Sequence, residues 1–580
     1  MMGRAEGAGP VMATVGDDSG GRAVMRDAAP SALSTGAALL PFLALAACGE
    51  GSGPVGGSGT GGSGNTGGGS TPVVVVTPAP TTTEASRFLA QATMGATRST
   101  IDAVVSRGYD GWLDDQFAMA RATTHWDWLI ANGYDAATNI NSAAGLDPTL
   151  WRQMIVEPDQ LRQRIGMALL DILVVGADSL TGQWRAFSMA AYVDILLDNA
   201  FGNYRDILGA ITTNFAMSSF LTFLYNRKAN PTTGAEPDEN YARELMQLFT
   251  LGLYQLNMDG SQKLSNGQPV ETYNQADVSG LARVFTGLAP ASTNTSTPAR
   301  SRAPLGIIAG MNETGASSFL GTTVTGGGMA AIKAALDAIF AHPNVPPFIA
   351  RQLIQRLVTS NPSPAYINRV ATKFADNGQG VRGDMKAVIR AILLDSEART
   401  LPTTTNAGKL REPVLRLTAW ARAFGVTSPS NAWAIGDTSS PSTRLGQSKG
   451  HSPSVFNFYR PGYTPPGTSL ANSGLVAPEF QITNEQSVVG YVNFMYGLIA
   501  NGIGDVKADY SAILTKAADS QALVDEVNLV LAAGQLSSAT LAAIRGAVDS
   551  VSATATNGPI NRVGIAILLT MASPDYLTLR

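Results

Sequence analysis

The sequence predicts a mainly α-helical protein, a large multi-helix globular domain with a small β-hairpin excursion and long Gly/Pro/Ser-rich loops. Three observations lead there. Apolar residues recur at helical spacing in segment after segment from residue 84 to the C-terminus. Strand signals concentrate in one stretch, 256–273, with two hairpin-type turns at Asp259-Gly260 and Asn266-Gly267. Hydrophobic residues make up 44% of the 580, against 14% charged, which is enough apolar material to build a large core without cross-links.

The first 83 residues are of a different kind. Ala37-Ala-Leu-Leu-Pro-Phe-Leu-Ala-Leu-Ala-Ala47 is apolar and ends at Cys48, the single cysteine of the chain. A bilayer core needs about 20 apolar residues to cross, so this run is too short to span and has the length of a secretory signal core. Arg22 and Arg26 supply the positive charge that precedes such a core, and starting at Met25 would give the leader an ordinary length. Leu45-Ala-Ala-Cys48 resembles the bacterial lipobox. That resemblance implies cleavage of residues 1–47, lipid on Cys48 and anchoring to a membrane. Gly49, in place of an Asp retention signal, then implies a cell-envelope location at the outer membrane of a diderm cell. Residues 48–83, rich in Gly, Ser, Thr and Pro, read as a flexible linker.

The body follows from Glu84. Phe88, Leu89 and Ala92 share one helical face, Gly95 closes that segment, and a helix over 101–107 is stopped by Gly108. Helical spacing continues over 159–175, 186–198, 204–213, 217–225, 239–251, 275–285, 329–340, 346–358, 364–374, 382–394 and 409–424. It returns over 485–500, 511–516, 521–533, 538–550 and 561–572. The segments 289–328 and 425–484 lack any period and are rich in Gly, Pro, Ser and Thr, as functional surface loops often are. The expected body is one large helical domain, or two lobes meeting near these insertions.

Several segments are distinctive when taken in order. They include Phe88-Leu-Ala-Gln-Ala-Thr-Met-Gly, Asp238-Glu-Asn-Tyr-Ala-Arg-Glu-Leu, Ala282-Arg-Val-Phe-Thr-Gly287, Phe348-Ile-Ala-Arg-Gln-Leu353, Lys409-Leu-Arg-Glu-Pro413 and Ala572-Ser-Pro-Asp-Tyr576. Together they resemble the bacterial family called domain of unknown function 1800, across residues 84–580. The chain departs from that pattern where tryptophan is common, carrying Tyr463, and where Phe-Trp-His is common, carrying Leu161-Arg-Gln-Arg-Ile. The family name assigns no activity. The resemblance implies a neighbouring exported partner of the family called domain of unknown function 1501.

Candidate chemistry gathers in two places. Asp238 precedes a helix whose free N–H groups a carboxylate can cap. Glu239 and Arg243 are four apart and can pair, with Glu244 on the adjacent face. Arg283 is placed to meet Glu244 across a helix contact, and Arg351 and Arg411 are further members of such a charged seam. The alternative is that Glu239 and Glu244 act as metal ligands or an acid–base pair. The second place is the 425–484 loop, where His451, Asn457, Tyr459, Arg460 and Tyr463 read as a contact surface, since aromatic and arginine residues dominate interface energy.

Function is bounded more than fixed. A formal net charge of −4 provides no basic field for nucleic acid. No His-Glu-x-x-His helix, Gly-x-Ser-x-Gly elbow or Gly-x-x-x-x-Gly-Lys-Ser/Thr loop is present. The expectation is a non-catalytic envelope component that binds a glycan or an envelope protein. The alternative is a carboxylate- or metal-dependent hydrolase acting on an envelope or extracellular polymer. No cofactor is called for, and a mixed Asp/Glu/His site for a divalent metal stays open.

Overall fold

Thr81 and Glu84 begin the ordered body by capping each other. The Thr81 side chain accepts from the Glu84 N–H, and the Glu84 carboxylate accepts from the Thr81 N–H at 2.8 Å. The first helix therefore runs Thr82–Ala92, so the linker expected to reach residue 83 gives way to helix slightly earlier. The computed structural model describes residues 78–402 and 407–580. The leader, Cys48 and the linker as far as residue 77 lie outside the described residues.

Among the described residues there are 23 α-helices and only two-stranded sheets. Arg98–Ala118 is broken at Gly108, whose φ of 69° leaves the helical region, as the sequence predicts. The expected 159–175 helix is shorter, Gln160–Leu170, and every one of its residues except Arg162 is buried. Around it pack Arg98–Ala118, Leu146–Val156, Arg185–Asp198 and Val345–Leu357. Val345–Leu357, Pro364–Ala375 and Met385–Leu393 form one consecutive layer, and Ser520–Ala532, Ser538–Asp549 and Gly558–Ala572 form another near the C-terminus. A continuous apolar core runs through all of them, with Trp151, Trp184 and Trp420 almost wholly enclosed. No helix among the described residues is long and apolar enough to cross a membrane.

The ends of the body are tied together. Arg87 donates to the carbonyls of Arg580 (2.7 Å), Arg399 (2.6 Å) and Thr400 (3.0 Å). Lys409–Leu410 pairs antiparallel with Thr578–Leu579. This pairing corrects the expected 409–424 helix, which begins only at Pro413, where a missing N–H costs nothing in the first turn.

The expected hairpin excursion is present: Leu264–Ser265 pairs with Gln268–Pro269 around Asn266 and Gly267, both at positive φ. The 289–328 segment, read as an aperiodic loop, holds two more antiparallel pairs, Leu288–Pro290 with Leu305–Ile307 and Ser317–Phe319 with Thr322–Val324. The second of these forms a wall of the candidate site.

Candidate functional site

The helix Gln275–Val284 is fixed at its start by Asn274 and Asp277, which form a reciprocal cap. Asp277 also accepts from the Leu320 N–H at 2.7 Å, docking the helix on the 317–324 hairpin. Contact is closest at Gly280, where a β-carbon would come within 1.9 Å of the Ser318 carbonyl oxygen. Only glycine permits that approach. Helix and strand thus make two walls of an open groove of about 540 Å³, and the chain leading into the helix Asn240–Gln247 makes the third.

Glu239 and Arg283 both line this groove, so the structure brings these two sequence-predicted residues together. The Glu239 carboxylate accepts from Ser279 Oγ at 2.5 Å, Gln275 Nε2 at 2.7 Å and Arg243 at 3.2 Å. The Ser279 hydrogen bond leads the effects that hold its pKa below the usual carboxylate value, despite partial burial. Arg283 sits one turn beyond Ser279, pairs with Glu313 at 3.1 Å, and keeps a buried Nε without a partner. Backbone N–H groups of Gly315 and Thr314, together with Arg283, hold Glu313 low in turn. Glu236 lines the groove and is exposed.

The remaining members of the expected seam lie apart. Asp238 caps from one residue outside the helix, accepting from the Asn240 N–H at 2.8 Å and from Thr222 at 3.0 Å. Glu244 is buried, and one of its oxygens has no hydrogen-bond partner. Burial pushes its carboxyl up, with Arg243 only partly opposing. The expected Glu244–Arg283 pair is replaced by Arg283–Glu313, because the 313–318 segment folds over the helix. Arg351 lines a separate depression beside Phe348 and Pro461, where burial lowers its pKa. Arg411 is buried under the Tyr576 ring, 4.6 Å from its centroid.

The 425–484 loop departs furthest from expectation. Tyr459 is 1% exposed and Asn457 is buried, so neither belongs to a contact surface. Arg460 is exposed and lies over the Phe456 ring, while the half-buried Tyr463 accepts through its carbonyl from Ala477. His451 is clamped between two carboxylates, at 2.8 Å from Asp147 and 2.9 Å from Asp178. Burial disfavours the imidazolium, but Asp147, Asp178 and Asp437 outweigh it and raise the pKa to about 9.

Beneath the clamp lies an ionic centre that the sequence reading missed. Lys449 reaches Asp171 at 2.6 Å and Glu412 at 3.0 Å, while Lys409 reaches Glu479 at 2.9 Å. Arg164 donates to the Arg356 carbonyl at 2.5 Å, and Asn457 donates to Asp171 at 2.6 Å. Asn457 holds a left-handed φ of 59° to do so. Asp171, Glu412, Glu479, Lys409, Lys449, Arg164 and Arg356 are all buried. Burial works against a charged Glu412, but Lys449, Lys409, Arg164 and Arg356 overcome it and hold its carboxyl well below the usual range. The signals were present in Lys409-Leu-Arg-Glu412 and Lys449, but no local spacing reveals a partner 278 residues away.

Among the described residues, no group of three or more His, Cys, Asp or Glu side chains is arranged to hold a metal ion. A family model described as "Protein of unknown function (DUF1800)" matches residues 87–578. No curated protein and no solved structure matches the chain.

Proposed function

We propose that this chain, which belongs to the DUF1800 family, is a binding component that holds a small polar ligand in the groove between Glu239 and Arg283. The observation that carries the reading is the state of the groove's central carboxylate. Glu239 already accepts from three side chains and is held below the ordinary carboxylate pKa. A general base works best with a pKa near the operating pH, so a carboxylate depressed in this way is poorly suited to activate Ser279 or water. It is well suited to present a fixed negative charge. The volume, about 540 Å³, falls within the roughly 300–1,000 Å³ common for small-molecule sites.

The proposed setting is the cell envelope, with the body tethered through lipid on Cys48. The short apolar run and Leu45-Ala-Ala-Cys48 support it. Cys48→Ser is expected to release the protein from the membrane fraction, and a variant that stays membrane-bound would remove the anchor.

The groove is tested with calorimetry on a panel of amino acids, short peptides, chito-oligosaccharides and polyamines, against the wild type and Ala276→Trp. Ala276 is exposed on the groove rim, so the bulky ring blocks it without entering the core. The expected result is saturable binding of at least one compound, lost in the variant, with no turnover of the bound compound. Binding that survives Ala276→Trp, no binding at all, or hydrolysis of the bound compound would each overturn the reading.

A further inference from the structure

Resting on the groove as a binding site, the geometry points to a ligand class: a zwitterionic short peptide, its ammonium held by Glu236 and Glu239 and its carboxylate by Arg283. The groove is charged with opposite sign at its two ends. Glu236 and Glu239 come from the segment before the helix Asn240–Gln247, and Arg283 comes from the last turn of Gln275–Val284.

The separation between the ends follows from helix geometry. Ser279, which holds Glu239, and Arg283 are four residues apart on one helix, so their β-carbons are about 5–6 Å apart. An extended peptide covers about 3.3–3.6 Å per residue, so a short peptide of about two residues matches that spacing. On the rim Ala276 carries only a methyl group, which leaves that side of the groove open.

Charge on each side completes the choice. Arg283 pairs with Glu313 through one terminal nitrogen only, and its side chain is 41% exposed. A guanidinium carries five N–H donors, so a second carboxylate can be received beside Glu313. At the other end the Glu239 oxygens are fixed by Ser279, Gln275 and Arg243, while exposed Glu236 is left to meet an ammonium directly. A polyanion would be repelled by Glu236 and Glu239, and a polyamine by Arg283. A sugar would find no aromatic ring among the lining residues on which to stack. A ligand bearing one charge of each sign satisfies both ends.

The probe is trialanine with free termini, titrated into the full chain beside its N-acetyl and C-amide forms. Wild type is expected to bind the free peptide saturably and to lose about tenfold or more on blocking either terminus. Arg283→Met should bind acid and amide equally, and Glu236→Gln should bind the free and acetylated peptides with a smaller difference than wild type. Glu236 is exposed and Arg283 half-buried, so binding is compared between variants that circular dichroism and thermal melting show to be folded at the assay temperature. Equal binding of all three peptides by wild type would overturn the charge assignment. Binding of chitotriose or spermidine, abolished by Ala276→Trp, with no binding of trialanine, would overturn the peptide and retain the groove. Binding of trialanine unaffected by Ala276→Trp would overturn the groove as well.

Discussion

Glu239 and Glu412 make an instructive pair, because both are glutamates surrounded by donors and both have depressed pKa values. Glu239 stands in an open groove, about one-third exposed, and its cation, Arg243, is exposed to a similar degree. Glu412 is wholly buried against lysine and arginine side chains that are nearly as buried. In the groove, water screens the pairs, so each is worth only about 0–1 kcal/mol and the charges remain available to a ligand. In the ionic centre the side chains are shielded from bulk solvent, and the pairs are committed to one another. The same chemistry therefore leaves its charges open in one place and closes them on one another in the other, and solvent exposure decides which.

The largest expected effect is at the centre. Glu412→Gln leaves Lys449, Lys409 and Arg164 buried with less opposing charge, and breaking such a set costs about 3–5 kcal/mol. Urea unfolding should show a loss of that size. A variant within about 1 kcal/mol of wild type would show that the centre does not hold the fold.

His451 ranks next, and its contribution depends on pH. Its folded pKa, raised to about 9, lies above the ordinary 6.5. The clamp on Asp147 and Asp178 therefore stabilises fully below about pH 6.5 and is lost as pH rises through about 9. The difference amounts to about 3 kcal/mol. Stability curves of wild type and His451→Gln should be furthest apart near pH 6 and converge by pH 10; curves that stay parallel across that range would contradict the clamp.

The smallest effect has the opposite sign. Glu244 is buried with one oxygen unpartnered, and burial raises its pKa, so its charge is carried at a cost. Glu244→Gln removes that cost and should leave stability unchanged or raise it by up to about 1 kcal/mol, read as an unchanged or slightly higher thermal midpoint. A clear loss of stability would mean that Glu244 belongs to an ion-pair network after all.

The contrast between the two regions also explains what could be read from the sequence. Local signals were legible: Gly108 stopping a helix, Asn266-Gly267 turning a hairpin, and Glu239–Arg243 pairing at four residues' spacing. The hairpin at Leu320–Gly321 was missed because leucine is an unusual residue for the positive φ it adopts there. The pairing of Arg283 with Glu313, 30 residues further on, is not legible because Glu313 lies in a segment without periodicity. Tyr459 was read as surface for the same reason: periodicity reports burial only where the backbone is regular. In an irregular loop, an inward tyrosine and an outward one look alike. The ionic centre depends mostly on such contacts, since Asp171, the Lys409–Glu412 stretch, Lys449 and Glu479 come from four separate segments.

The most direct test of this division is hydrogen exchange of the full chain with and without saturating trialanine. The account predicts slowed exchange in 236–240, 276–283 and 313–318, with the ionic centre at 409–412 and 447–451 unchanged. Exchange that is unchanged around the groove, or slowed chiefly in 409–412 and 447–451, would contradict it.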